Sequence, residues 1–161
     1  MASNIYLAID GIKGESTVEE YKDQIEIMNF SYSCFQPVSE ARSGGIHTSG
    51  RANHGTVNFS KFTDMATADI LAAMWSGKTI KDAIIRAVIN NGDAVIEYMT
   101  ITLANVVFTN FSIHGGGNSV ANEEISLSFS RIKVEYHNQG EDGSTPGKKP
   151  AEWDLALEKK A

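Results

Sequence analysis

With 161 residues, 42% of them hydrophobic and 21% charged, the chain has the size and composition of one globular domain able to bury a substantial core. Its net charge of −6 excludes a surface built for nucleic acid, which needs clustered Lys and Arg, and the basic pairs Lys148-Lys149 and Lys159-Lys160 both fall near the C-terminus. No apolar run reaches the ~20 residues that cross a bilayer, so no membrane insertion is expected, and the lone cysteine, Cys34, excludes an internal disulfide.

Residues 5–9 (IYLAI) have strand composition and end at the turn signal Asp10-Gly11; Asp10, Lys13 and Glu15 interrupt the N-terminal region, so no signal peptide for the general secretory route is expected. Residues 25–35 (IEIMNFSYSCF) are predicted as one longer strand. Their parity places Met28, Phe30, Tyr32 and Cys34 on the core face, and Asn29, Ser31 and Ser33 on the other. From 36 to 54 the chain has no sustained period, two adjacent glycines and many small polar residues, which predicts a long irregular loop of the kind that usually carries function. Strand composition resumes at 55–62.

Residues 67–76 are the one convincing helix, with Thr67 as N-cap, Asp69 in the first turn and Gly77 at C′. Its apolar stripe of Ile70, Leu71, Met74 and Trp75 is expected to pack on the sheet. Residues 83–89 form a strand that ends in Asn90-Asn91-Gly92-Asp93, a hairpin turn signal because Asn and Gly tolerate positive φ. Segments 95–103 and 105–113 are two strands so close in sequence that either an antiparallel pair or a bent continuation is expected. Gly115 to Gly117 make a flexible connector without the spacing of a phosphate cradle.

The segment 125–136 (ISLSFSRIKVEY) alternates, but its parity slips. Ile125, Leu127 and Phe129 share one face, whereas Ile132, Val134 and Tyr136 have the opposite parity. A bulge or sharp coil near Ser130-Arg131 would restore one inward face, as at a barrel corner; burial of both faces, one by a neighbouring subunit, is the alternative. The division that follows is a barrel over 1–137, a flexible linker over 138–150 and a tail over 151–161. The tail carries Trp153 and is expected to dock on the barrel.

No catalytic constellation emerges. His47, His54, His114 and His137 lack metal-ligand spacing, no G-x-S-x-G or HExxH pattern occurs, and Glu123-Glu124 reads as a solvated strand entry. No enzyme activity, cofactor or metal site is expected. Asn29-Phe30-Ser31, Asn58-Phe59-Ser60 and Asn110-Phe111-Ser112 match the glycosylation pattern, yet read as strand residues with Phe inward.

Residues 5–16 (IYLAIDGIKGES), the helix region with Phe62, Leu71, Ala73 and Ser76-Gly77-Lys78, residues 98–103 (YMTITL) and the 125–136 strand follow one another in an order and spacing that resembles the Hcp family, the haemolysin-coregulated proteins of type VI secretion. The match runs from about Ser3 to Tyr136, and Trp153-Asp154 is similar to the segment that closes many members. The resemblance implies a mainly β fold, a two-sheet β-barrel with one α-helix packed at its side, closing as a homo-hexamer into a ring. Rings would stack into a tube inside a contractile sheath and behind a spike protein, with small effector proteins in the lumen. The protein would assemble in the cytoplasm of a Gram-negative bacterium and be secreted to the extracellular space or a target cell. On this reading Asn29, Ser31 and Ser33 face the lumen, and Gly44, Gly45, His47 and Arg51 belong to a ring-stacking loop. The competing reading is a monomeric β-barrel that binds a small ligand or glycan.

Overall fold

The computed structural model describes residues 2–39, 48–92, 94–138 and 147–160. In chain order the strands are β1 (Ala2–Ile9), β2 (Ile25–Ile27), β3 (Asn29–Ser31), β4 (Cys34–Phe35), β5 (Val38–Ser39), β6 (Thr48–Ser49), β7 (Asn53–His54) and β8 (Val57–Phe62). The helix α1 (Ala66–Trp75) follows, then β9 (Ile80–Asn91), β10 (Ala94–Gly116), β11 (Ser119–Ser128), β12 (Arg131–Asn138) and β13 (Gly147–Asp154).

β10 organises the barrel because it belongs to both sheets. Its first half pairs with β9 and β12, from Met99 opposite Tyr136 to Ala104 opposite Arg131, and its second half pairs with β11. The bend between the halves falls at Asn105, whose φ of 52° lies in the left-handed region that Asn tolerates better than most residues. Of the two arrangements expected for 95–113, the bent continuation is the one formed. The first sheet thus holds β2, β1, β9, β10, β12 and β13; the second holds β10, β11, β8 and β3.

The parity slip at 125–136 has the same origin. β11 ends at Ser128 in the second sheet and β12 begins at Arg131 in the first. Between them the Ser130 amide donates to the Ala104 carbonyl at 3.0 Å. This corner lets Ile125, Leu127, Phe129 and Ile132 all enter one core, which also takes Leu7, Ile25, Phe59, Ile70, Ile85, Leu103 and Phe108. Burying this apolar area between the sheets is the main force holding the barrel closed.

A second corner breaks the strand expected over 25–35. β2 pairs with β1 in the first sheet and β3 with β8 in the second, so the chain changes sheets at Met28. Parity resets there: Ile25 and Ile27 are buried, Phe30 and Tyr32 pack on the core, and Met28 and Cys34, expected inside, are exposed. The stretch expected as an irregular loop is a two-stranded arm at its base, with Cys34 opposite His54, Phe35 opposite Asn53 and Val38 opposite Ser49. Backbone pairing supplies the regularity that its mixed composition hides.

Residues 147–150, expected as linker, instead join β13, which runs antiparallel to β12 with Trp153 opposite Ile132. The strand extends the first sheet by one, satisfying the outward backbone groups of β12 and becoming the edge itself. The helix begins one residue before the expected start. Thr67 is not its N-cap: Asp64 Oδ1 accepts from the Ala66 amide at 2.9 Å, and Thr67 Oγ1 accepts from the Asp64 amide at 3.2 Å. Gly77 (φ 63°) takes the C′ position, with the Lys78 amide donating to Ala73 O at 2.9 Å. Ala66, Ile70 and Ala73 form the buried stripe, while Trp75, expected in the core, is 79% exposed at the helix end.

Candidate functional site

The second sheet has one polar face, built from a repeated pattern. Asn-Phe-Ser occurs on β3, β8 and β10, and Glu124-Ile125-Ser126 takes the equivalent place on β11. Strand pairing sets the four central residues in one line: Phe30 faces Phe59, Phe59 faces Ile125, and Ile125 faces Phe111, all on the core side. Alternation then sends the flanking residues outward. Ser31, Asn58, Ser126 and Asn110 lie directly opposite one another across four strands, and Asn29, Ser60, Glu124 and Ser112 make a second row.

Hydrogen bonds bind the first row together. Asn58 Oδ1 accepts from Ser126 Oγ at 2.6 Å and from Thr56 Oγ1 at 3.1 Å, while its amide nitrogen donates to Ser31 Oγ at 3.5 Å. The rows enclose a shallow depression of about 270 Å³. Ser60 lines it with a hydroxyl that is buried and, among the described residues, has no hydrogen-bond partner. Of the residues expected on this face, Asn29 and Ser31 are exposed and lie in it; Ser33 is exposed but stands past the end of β3, where its carbonyl accepts from the Gly55 amide at 2.8 Å.

The arm is anchored where Tyr32 meets His54, whose Nδ1 lies 2.6 Å from the phenol oxygen. Burial, with the neighbouring Cys34 thiol adding to it, pushes the Tyr32 phenol up to about 12. Arg51 is exposed and pairs with Glu158 at 2.7 Å, so the arm also touches the C-terminal turn. The other residues expected in a stacking loop, Gly44, Gly45 and His47, lie outside the described residues.

Sequence reasoning missed a buried ionic cluster. Glu123, expected in solvent, is fully buried: Lys61 Nζ lies 2.9 Å from its Oε2, and Thr67 Oγ1 donates to its Oε1 at 2.6 Å. Lys61 also meets Asp64 Oδ1 at 2.6 Å. Parity carried the signal, since Val57, Phe59 and Lys61 share one face of β8, and Glu123, Ile125 and Leu127 share one face of β11. Among the described residues, no group of three or more His, Cys, Asp or Glu side chains could hold a metal ion.

The family model "Type VI secretion system effector, Hcp" matches residues 6–136, most of the barrel described above. The chain is a member of the Hcp family. It is 30% identical over 148 residues to Protein hcp1 of Pseudomonas aeruginosa, covering 91% of each chain. It superimposes on Hcp1 of Salmonella typhimurium with a TM-score of 0.82 at 27% identity, covering 100% of both chains. A type six secretion system protein gives a TM-score of 0.92 at 23% identity, covering 99% of this chain and 100% of that one. Hcp proteins are secreted, structural components of the type VI secretion tube and not enzymes, and the family forms hexameric rings. The competing reading as a monomeric ligand- or glycan-binding barrel finds no support in these comparisons.

Proposed function

We propose that the polar face of the second sheet lines the lumen of the ring, with Ser31 at its centre, and that small effector proteins are held against it during export. The observation that supports this most strongly is the Ser31, Asn58, Ser126 and Asn110 row, in which side chains on four strands make one continuous hydroxyl and amide surface. Such groups bind a passing protein through reversible hydrogen bonds and offer no apolar patch on which it would stick. Among the described residues the sheet has an unpaired edge on each side: β3 is one, and the stretch of β10 beyond Val106 opposite Ile80 is the other. Joining unlike edges of successive copies by rotation closes a ring, and carries the polar rows round its inside.

In the same reading the arm carries the stacking of rings into a tube, through Arg51 beside its paired base and through Gly44, Gly45 and His47. Assembly in the cytoplasm of a Gram-negative bacterium, inside a contractile sheath and behind a spike protein, completes the reading. Replacing Ser31 with Arg tests it: rings should remain intact by light scattering while effector retention is lost. Retention at the wild-type level would remove the lumen assignment. Deleting residues 43–50 should leave single rings, and unchanged tube formation would remove the arm from stacking.

A further inference from the structure

The depression on the polar face is chemically lopsided. Glu124 is exposed at its rim, and among the described residues no cation lies within ion-pair distance of it. Ser60, 7% exposed, lines the floor, and its hydroxyl oxygen has no partner. These two residues are directly opposite on β8 and β11, and Asn29 is directly opposite Ser60 on the other side. Of the neighbouring hydroxyls, Ser126 and Thr56 already give their protons to Asn58 Oδ1. The notch therefore holds an exposed carboxylate, an unused hydroxyl and the Asn29 amide, each with an oxygen able to accept. A buried polar atom without a partner costs free energy, and a ligand that donates to it recovers that cost.

We propose that the notch formed by Asn29, Ser60 and Glu124 is a subsite for a cationic side chain, Lys or Arg, of the protein carried in the lumen. The inference rests on the lumen reading and adds the chemistry of the cargo. Lys and Arg carry only donors, which the carboxylate, the hydroxyl oxygen and the amide oxygen can accept, and the carboxylate supplies the opposite charge. In a ring the subsite recurs once per subunit, so a cargo with several basic side chains engages several copies at once and gains avidity. An acidic segment would be repelled by Glu124, and a purely apolar one would leave both Ser60 and Glu124 without a partner.

The test uses the intact ring and a fluorescein-labelled tetra-arginine peptide, with tetra-citrulline as the uncharged control, followed by fluorescence anisotropy at low and moderate salt. Wild-type rings should bind the arginine peptide and not the citrulline one. Glu124→Gln should weaken binding by about tenfold or more, and Ser60→Ala should weaken it less. Glu20→Gln removes an exposed acid on the 3-10 turn whose Tyr21 packs on Tyr6 of β1, in the first sheet, and should leave binding unchanged. Equal binding by wild type and Glu124→Gln overturns the subsite. Ser31→Gln, which crowds the face without adding charge, separates the two readings. If it weakens the peptide while Glu124→Gln does not, the subsite fails and the lumen reading stands; if neither variant affects a peptide that binds, both fail.

Discussion

The ammonium of Lys61 lies 2.9 Å from Oε2 of Glu123, and both side chains are completely buried. Lys61 is on β8, Glu123 on β11, and Asp64 and Thr67, which complete the cluster, sit at the entry to α1. The polar face and the ionic cluster are therefore opposite sides of the same two strands. The cluster fixes the helix start to the sheet whose outer side carries Ser31 and Glu124.

Removing one member of this cluster should be costly. Lys61→Met would leave Glu123 without its counter-charge in the interior, a loss of about 3–5 kcal/mol. Replacing Glu123 with Gln in the same chain should recover part of it, since no unpaired carboxylate would then remain. Urea unfolding of the single and double variants checks this; a double variant no more stable than Lys61→Met would contradict it.

Two glycines should respond differently to a methyl group. At Gly77 the φ of 63° strains any L side chain, yet nothing lies within 4 Å of the added carbon, so Gly77→Ala should cost about 1–2 kcal/mol. At Gly14 the added carbon would collide with the Gln24 carbonyl and the Ile25 backbone, which cannot rotate away. Gly14→Ala should be the more damaging of the two, and thermal unfolding of the pair gives the order.

The Tyr21 ring stacks on Tyr6 with centroids 4.4 Å apart, and burial first, with the Glu97 and Glu20 carboxylates adding, pushes its phenol up to about 12. A phenol in the unfolded chain ionises near 10. The folded state thus holds a proton that the unfolded state releases between about pH 10 and 12, so this contribution is present below pH 10 and lost as the pH rises through about 12. The melting temperature of wild type should fall more steeply over that window than that of Tyr21→Phe. Parallel curves would show that the phenol is not the group responsible.

Trp75 has the opposite standing to the one its sequence suggests. It lies one helical turn after Leu71 in the apolar stripe, yet it is 79% exposed, and Ala66, Ile70 and Ala73 make the buried face instead. Trp75→Ala should change unfolding stability by no more than about 0.5 kcal/mol. A loss of several kcal/mol in the isolated subunit would place the indole in a core.

The sequence made the barrel legible wherever alternation was local. The inward aromatics of the three Asn-Phe-Ser segments, the hairpin turn at Gly92 and the helix stop at Gly77 all follow from residue chemistry within a few positions. Corners were harder. The slip at 125–136 announced itself because apolar residues changed parity, but the change of sheet at Met28 was hidden by an apolar residue at the corner itself. The face carrying Asn29 and Ser31 was readable from one strand, whereas Asn58, Ser126 and Asn110 joined it only through pairings between distant segments. The Lys61–Glu123 pair was concealed by the ordinary expectation that charges are solvated.

Whether the second sheet faces the bore of a ring is tested most directly by a cryo-electron microscopy map of the assembled protein at side-chain resolution. Six copies with Ser31, Asn58, Ser126 and Asn110 facing a continuous central channel are the expected result. A ring in which this face is turned outward or buried against a neighbouring subunit would contradict it.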